Sequence, residues 1–258
     1  MVHDGSRPRP APGNTTSAAT SAGTPTNTSL VYQQLRRDIL FGSFPPESKL
    51  SIDQLRTRYG VSAIPIREAL NRLVSDGLID HAEQKGFFVP TLSVDELREL
   101  TETRCWVHEL MVRETLRVGG DAWEEALVLA AHRLFKADRN LDGTNRLNPE
   151  WEGLHRAFHL ALVAGCPSHW MREFHADLFD YAQFYKNQYI SAAPTEADRK
   201  VGAEHREMLE AAVARDGERL TQLMNAHIRL TTEIIIRHGP SHSAAARPRR
   251  KRLPITHE

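Results

Sequence analysis

Four histidines in the second half of the chain have the types and spacing of a metal site. His155 and His159 lie four residues apart in a segment, Pro149 to about Ala164, whose apolar pattern predicts a helix. Their imidazoles therefore leave the same face. His205 falls on a predicted helix from about Thr195 to Ala214, and His227 on a last helix that runs to about Arg237. Two ligands from one helix and one from each of two others is a way helical bundles build metal sites in their interiors. Imidazole suits Zn, Ni, Cu or Fe. A divalent ion, Zn or Ni first, is the expected cofactor. A polar pocket that holds an organic ligand without metal is the other reading. His132, His169, His175 and His238 are read as ordinary core or surface residues.

A second stretch, Lys49 to Leu78, has residues suited to duplex DNA. Ser51 to Tyr59 reads as a short helix with Ile52, Leu55 and Tyr59 on one face, opened by a capping Ser and stopped by Gly60. Ser62 is read as the cap of the next helix, which turns Ile66, Ala69, Leu70 and Leu73 inward and leaves Arg67, Asn71 and Arg72 outward. Two short helices around a Gly turn, the second bearing outward Arg, is the helix-turn-helix plan for the major groove. Gly77 ends the second helix. Leu78 to Asp80 and Gly86 to Val89 are short β-like runs that make a wing, with His81 and Lys85 placed near a DNA backbone. Ser62, Arg67, Asn71, Arg72 and Lys85 are the candidate DNA contacts.

The elements that must position these groups divide near residue 91. Residues 1–28 are rich in Pro, Ser, Thr, Gly and Ala and too poor in large apolar residues to offset ordering entropy, so a disordered tail is expected. Residues 29–91 are read as the winged helix-turn-helix, with a first helix over Ser29 to Phe41 carrying Leu30, Leu35 and Ile39 as its stripe. Residues 93–238 read as six long helices with short connections, which predicts an antiparallel bundle. Ser93 with Glu96 forms a capping box at its start. Residues 239–258 are read as a loose tail containing the basic run ARPRRKR. The fold class is mainly α.

Composition bounds the function. The chain has 258 residues, with 33 Lys and Arg against 33 Asp and Glu. No global basic field draws it to nucleic acid. Within Ser29 to Thr91 eight basic residues face seven acidic ones, so any DNA contact must be local. Cys105 and Cys166 stand apart, without a disulfide framework or CxxC motif, which fits a reducing cytoplasm. No apolar run approaches a membrane span, and no membrane partner is expected.

The run PPESKLSIDQLRTRYGVSAIPIREALNRLVSDGLIDHAEQKGFFV resembles the DNA-binding domain of the GntR family of bacterial transcription regulators. One residue past Ser62, where relatives often carry Arg, this chain has Ala63. LHRAFHLAL around His159, EHREMLEAAVARD around His205 and AHI around His227 resemble the FCD effector domain of the FadR subfamily. That likeness implies a metal held by an Asp-x3-His pair and two later His, with His155 standing where Asp or Asn is commonest. It also implies that Arg104 faces the cavity and pairs with an effector carboxylate, a match of guanidinium fork to carboxylate. An ion pair from Arg104 to Glu204 or another acid is the alternative. His108, one turn from Arg104, is expected on the same cavity, at a place where relatives often have Glu. Trp106, Phe158, Tyr181 and Phe184 are read as core packing, and Tyr185, Asn187 and Gln188 as candidates for the cavity wall.

The implied function is a cytoplasmic, nucleoid-associated regulator, a repressor first, whose operator affinity responds to a small organic acid. A homodimer would place two recognition helices on a palindromic operator. A metal-responsive regulator, with the ion itself as effector, is the second reading. A metal-dependent enzyme is the third, and the chain has no HExxH, no carboxylate pair beside the histidines and no nucleophile motif to support it. The expectation is that it is not an enzyme.

Overall fold

The computed structural model describes residues 27–91, 93–141, 147–189 and 200–238. Residues 1–26 of the expected N-terminal tail, the expected C-terminal tail and most of the loop before residue 200 lie outside the described residues, while Asn27 and Thr28, expected in the tail, open the first helix.

The head begins with helix α1, Asn27–Leu40. Its buried stripe is Val31, Leu35 and Ile39, spaced by four, while Leu30 turns out 42% exposed rather than inward. Helix α2 spans Ile52–Tyr59 and α3 spans Ala63–Ser75. Gly60 between them has φ 66°, a left-handed backbone that a side chain resists, and its N–H closes on the Arg56 carbonyl. Ile66, Ala69, Leu70 and Leu73 of α3 are buried against α1, as the apolar pattern predicts.

Two details of the head differ from expectation. Ser51 and Ser62 have the extended backbone of caps, but neither hydroxyl accepts a helix N–H. For Ser62 one of the two usual partners is missing: Pro65, third in the helix, has no N–H to offer. The wing strands are β1, Asp80–Ala82, and β2, Gly86–Phe88, antiparallel with His81 opposite Phe87. The first strand therefore starts two residues later than Leu78. Leu78 and Ile79 instead anchor the hairpin in the core, at 4% and 0% exposure.

The bundle consists of α4 (Val94–Val118), α5 (Asp121–Lys136), α6 (Pro149–Leu162), α7 (His169–Tyr189), α8 (Val201–Val213) and α9 (Gly217–His238). The Ser93 hydroxyl accepts the Glu96 N–H at 2.9 Å and opens α4. Asn148 caps α6 in the same way, at 3.0 Å to the Glu150 N–H. Met111, Leu127, Leu134, Phe158, Leu162, Met208 and Leu220 fill its apolar core. Trp106 does not join them, since it is 63% exposed on α4. None of the helices among the described residues is long and apolar enough to cross a membrane.

Head and bundle share one apolar cluster: Phe184 and Tyr185 of α7 and Ile234 and Ile235 of α9 pack on the same core as Leu35 and Leu70. Asn187 donates to the Leu40 carbonyl at 2.8 Å and Gln188 to the Phe44 carbonyl at 3.0 Å. Tyr185, Asn187 and Gln188 thus tie the bundle to the head instead of lining a cavity.

Candidate metal centre and nucleic-acid interface

Helix α6 runs beside α7 and α5, and α8 beside α9. This brings His155 and His159 of α6 against His205 of α8 and His227 of α9. All four are buried, and one nitrogen from each lies within 4.8 Å of the others. His159 Nε2 stands 3.0 Å from His155 Nε2 and 3.2 Å from His205 Nε2. Three ring nitrogens aimed at one another repel as lone pairs unless a proton or cation lies among them. Imidazole nitrogens about 2.0–2.1 Å from a tetrahedral zinc ion stand roughly 3.3–3.4 Å apart, a few tenths of an ångström wider than the closest pairs here. The donor set and its spacing fit a metal.

The electrostatics favour neutral, lone-pair-bearing imidazoles. Burial, followed by His205 and Lys186, holds His155 well below the ordinary imidazole range. Burial, followed by His155 and His227, does the same to His159. Glu204 accepts from His227 Nδ1 at 2.6 Å, which fixes the ring and leaves Nε2 as its donor atom. Trp151 stacks on His155 at 4.7 Å and an interplanar angle of 13°. Glu204→Gln is expected to weaken metal affinity by about 10- to 100-fold. Competition against a chromophoric chelator measures it, and an unchanged affinity would count against the role of Glu204.

A small cavity of about 40 Å³ opens beside the imidazoles, with Arg104, Arg139 and Lys186 among the residues on its wall. Arg104 is buried, and its Nε has no hydrogen-bond partner. Burial pushes its guanidinium down to about 10, so it stays charged at neutral pH. Among the described residues no carboxylate pairs with it; Glu204 serves His227 instead. Lys186 donates to Glu152 at 2.7 Å, a buried ion pair beside Trp151.

His108 does not share the cavity wall with Arg104. It is 1% exposed, its Nδ1 is 3.1 Å from Asn225 Oδ1, and its ring lies 5.4 Å from that of His175. Burial and Arg104 lower both, His175 to about 3. The unfolded chain therefore binds more protons than the folded one below the ordinary imidazole pKa of about 6.5. Stability is fully present above that value. It is expected to fall as the pH drops from about 6.5 toward about 3 for His175, by up to roughly 1.4 kcal/mol per pH unit, and His108 adds a fall of the same sign. Urea unfolding of metal-stripped protein at pH 7.5, 6 and 5 checks this. The same experiment on His175→Asn should show a shallower fall.

A network that sequence spacing does not reveal joins this site to the head. Arg156, next to His155 on α6, grips Asp180 of α7 with two bonds, 2.6 and 2.9 Å. Arg36 of α1 donates to the same carboxylate. One residue on, the Tyr181 hydroxyl donates to the backbone carbonyl of Asp76, just past the end of α3. Tyr32 of α1 bonds the Asp76 side chain, and the Arg72 guanidinium lies 3.9 Å over the Tyr32 ring.

On the head's outer side, Ser62, Arg67, Asn71, Arg72 and Lys85 are all exposed. Arg67 and Asn71, four apart, share a stripe of α3. Arg72 is turned aside by its stacking on Tyr32. Lys85 sits in the wing turn, where its N–H bonds the Ala82 carbonyl.

Residues 27–89 match the family described as bacterial regulatory proteins, gntR family, and residues 99–230 match the FCD domain. The chain is 34% identical over 206 residues to the HTH-type transcriptional repressor GlaR of Escherichia coli (strain K12), covering 79% of this chain and 93% of that protein. It is also 34% identical over 209 residues to the HTH-type transcriptional regulator BphR of Paraburkholderia xenovorans (strain LB400), covering 81% and 84%. Among solved structures, E. coli McbR/YncC is similar in fold, with TM-score 0.68, 21% identity and coverage of 81% and 97%. A GntR regulator from Rhodococcus sp. RHA1 gives TM-score 0.63, 23% identity and the same coverage.

Proposed function

The chain belongs to the GntR family of bacterial regulators and carries an FCD domain, and from that premise we propose that it is a repressor whose grip on its operator is set by a metal and a small organic acid in the bundle. It is a DNA-binding transcriptional regulator and not an enzyme. The observation that carries the proposal is the meeting of four buried imidazoles beside a buried Arg104 that has no carboxylate partner among the described residues.

His155, His159, His205 and His227 would hold the ion. An all-nitrogen donor set favours Zn or Ni over Mg or Ca. When bound, the metal supplies a Lewis-acidic centre for an oxygen donor. Arg104 would orient the acid by pairing with its carboxylate in a site shielded from water, where such a pair is strong. Arg67, Asn71 and Ser62 would meet the major groove, with Lys85 on a phosphate and Arg72 braced by Tyr32. A homodimer, acting in the cytoplasm, would set two α3 helices on a palindromic operator with half-sites about one helical turn apart.

Regulation requires the loaded bundle to prefer one placement of the head. Arg156, Asp180 and Arg36 form the contact through which a shift of α6 would reach α1. The small cavity favours a second reading, in which the ion alone is the effector. Metal-dependent DNA affinity without any organic acid separates the two.

A mobility-shift titration on the duplex upstream of its own gene tests the proposal. Binding at physiological salt should be at least about 1,000-fold tighter than to random duplex. Arg67→Ala should remove most of that difference. Equal binding to both duplexes would refute the assignment.

A further inference from the structure

The first turn of α3 is Ala63-Ile64-Pro65-Ile66, and none of these side chains can donate or accept a hydrogen bond. Ile66 is fully buried. Ile64 is 68% exposed, the most exposed large apolar residue of the head among the described residues, and it belongs to no apolar cluster. It lies three residues before Arg67 and seven before Asn71, on the same stripe of the helix. Residues at the start of the second helix of a helix-turn-helix meet base edges. The major groove offers one apolar group there, the 5-methyl of thymine.

We propose that Ile64 reads a thymine methyl, and so fixes a T·A pair where the start of α3 faces each half-site. Pro65 aids this by holding the first turn rigid. The proposal rests on the head docking through α3, and it concerns which base is preferred, not whether DNA is bound.

The test begins with selection of preferred duplexes from a random pool by the full chain. Each thymine of the best duplex is then replaced singly by deoxyuridine, which removes only the methyl group. One position per half-site should lose about fourfold in affinity, equivalent to about 0.8 kcal/mol for a buried methyl. Ile64→Ala should bind the thymine and uridine duplexes equally, and as well as the unaltered chain binds the uridine duplex. Ile64→Val should keep part of the preference. The inference is overturned if no thymine shows a methyl effect that Ile64→Ala abolishes, or if Ile64→Ala enriches the same sequence as the unaltered chain.

Discussion

Replacement of His159 by Ala should lower metal affinity by more than about a hundredfold. Its Nε2 is the hub of the cluster, 3.0 Å from one neighbouring Nε2 and 3.2 Å from another. Loss of an outer partner of a ligand typically costs 10- to 100-fold, so loss of this inner group should cost more. The effect should also appear as stability. A metal at about 1,000 times its Kd stabilises the folded chain by about 4.1 kcal/mol. At roughly 2–4 °C per kcal/mol for a chain of this size, the bound ion should raise Tm by about 8–16 °C. At the same metal concentration His159→Ala should keep at most about a third of that rise. His155→Ala should keep a larger share, because His159, His205 and His227 would remain together. Melting curves with and without zinc measure both variants. Equal metal-induced shifts in His159→Ala and the unaltered chain would remove the cluster from consideration as a metal site.

Asp180→Asn should both destabilise the chain and uncouple the head from the metal site. The Asp180 side chain is 4% exposed and holds two guanidiniums, Arg36 at 26% and Arg156 at 39% exposure. Breaking a fully buried pair costs about 3–5 kcal/mol. Both arginines here reach water, so about 2–3 kcal/mol is the expected loss, read by urea unfolding. The head should stay attached, since the cluster around Phe184 and Ile235 and the bonds from Asn187 and Gln188 do not involve Asp180. Metal affinity should be little altered, because no candidate ligand is removed. The dependence of DNA affinity on metal should shrink toward none. A variant with lowered stability and intact metal dependence would show Asp180 to be structural only.

Much of this architecture could be read from the residues. The helices of the bundle follow from apolar spacing and breaker residues, because each buries one stripe on its neighbours. The joint position of His155 and His159 follows from their i, i+4 spacing. Other features depend on distant chain segments. Asp180 and Arg36 are 144 residues apart, and no local pattern marks their meeting. His108 sits one turn from Arg104, yet Asn225 of α9 and His175 of α7 draw it off the cavity wall. Glu204 could have served Arg104 or His227, and only the packing of α8 on α9 decides between them. The unmade cap at Ser62 was partly legible, because Pro65 removes one of the two N–H groups that the hydroxyl could bond. Trp106 is a different case, since an aromatic at helical spacing is usually core and nothing in α4 signals its exposure.

On the proposed function, the state of the bundle governs the hold of the head on DNA. The direct measurement is fluorescence anisotropy of one upstream duplex at fixed salt, titrated with metal-stripped protein, zinc-loaded protein, and zinc-loaded protein with a panel of small carboxylates. At least one loaded state should change the Kd by about 5- to 150-fold, the usual range of such couplings. His159→Ala should abolish the change. Identical Kd values across all states of a chain shown to bind zinc would contradict the proposed function.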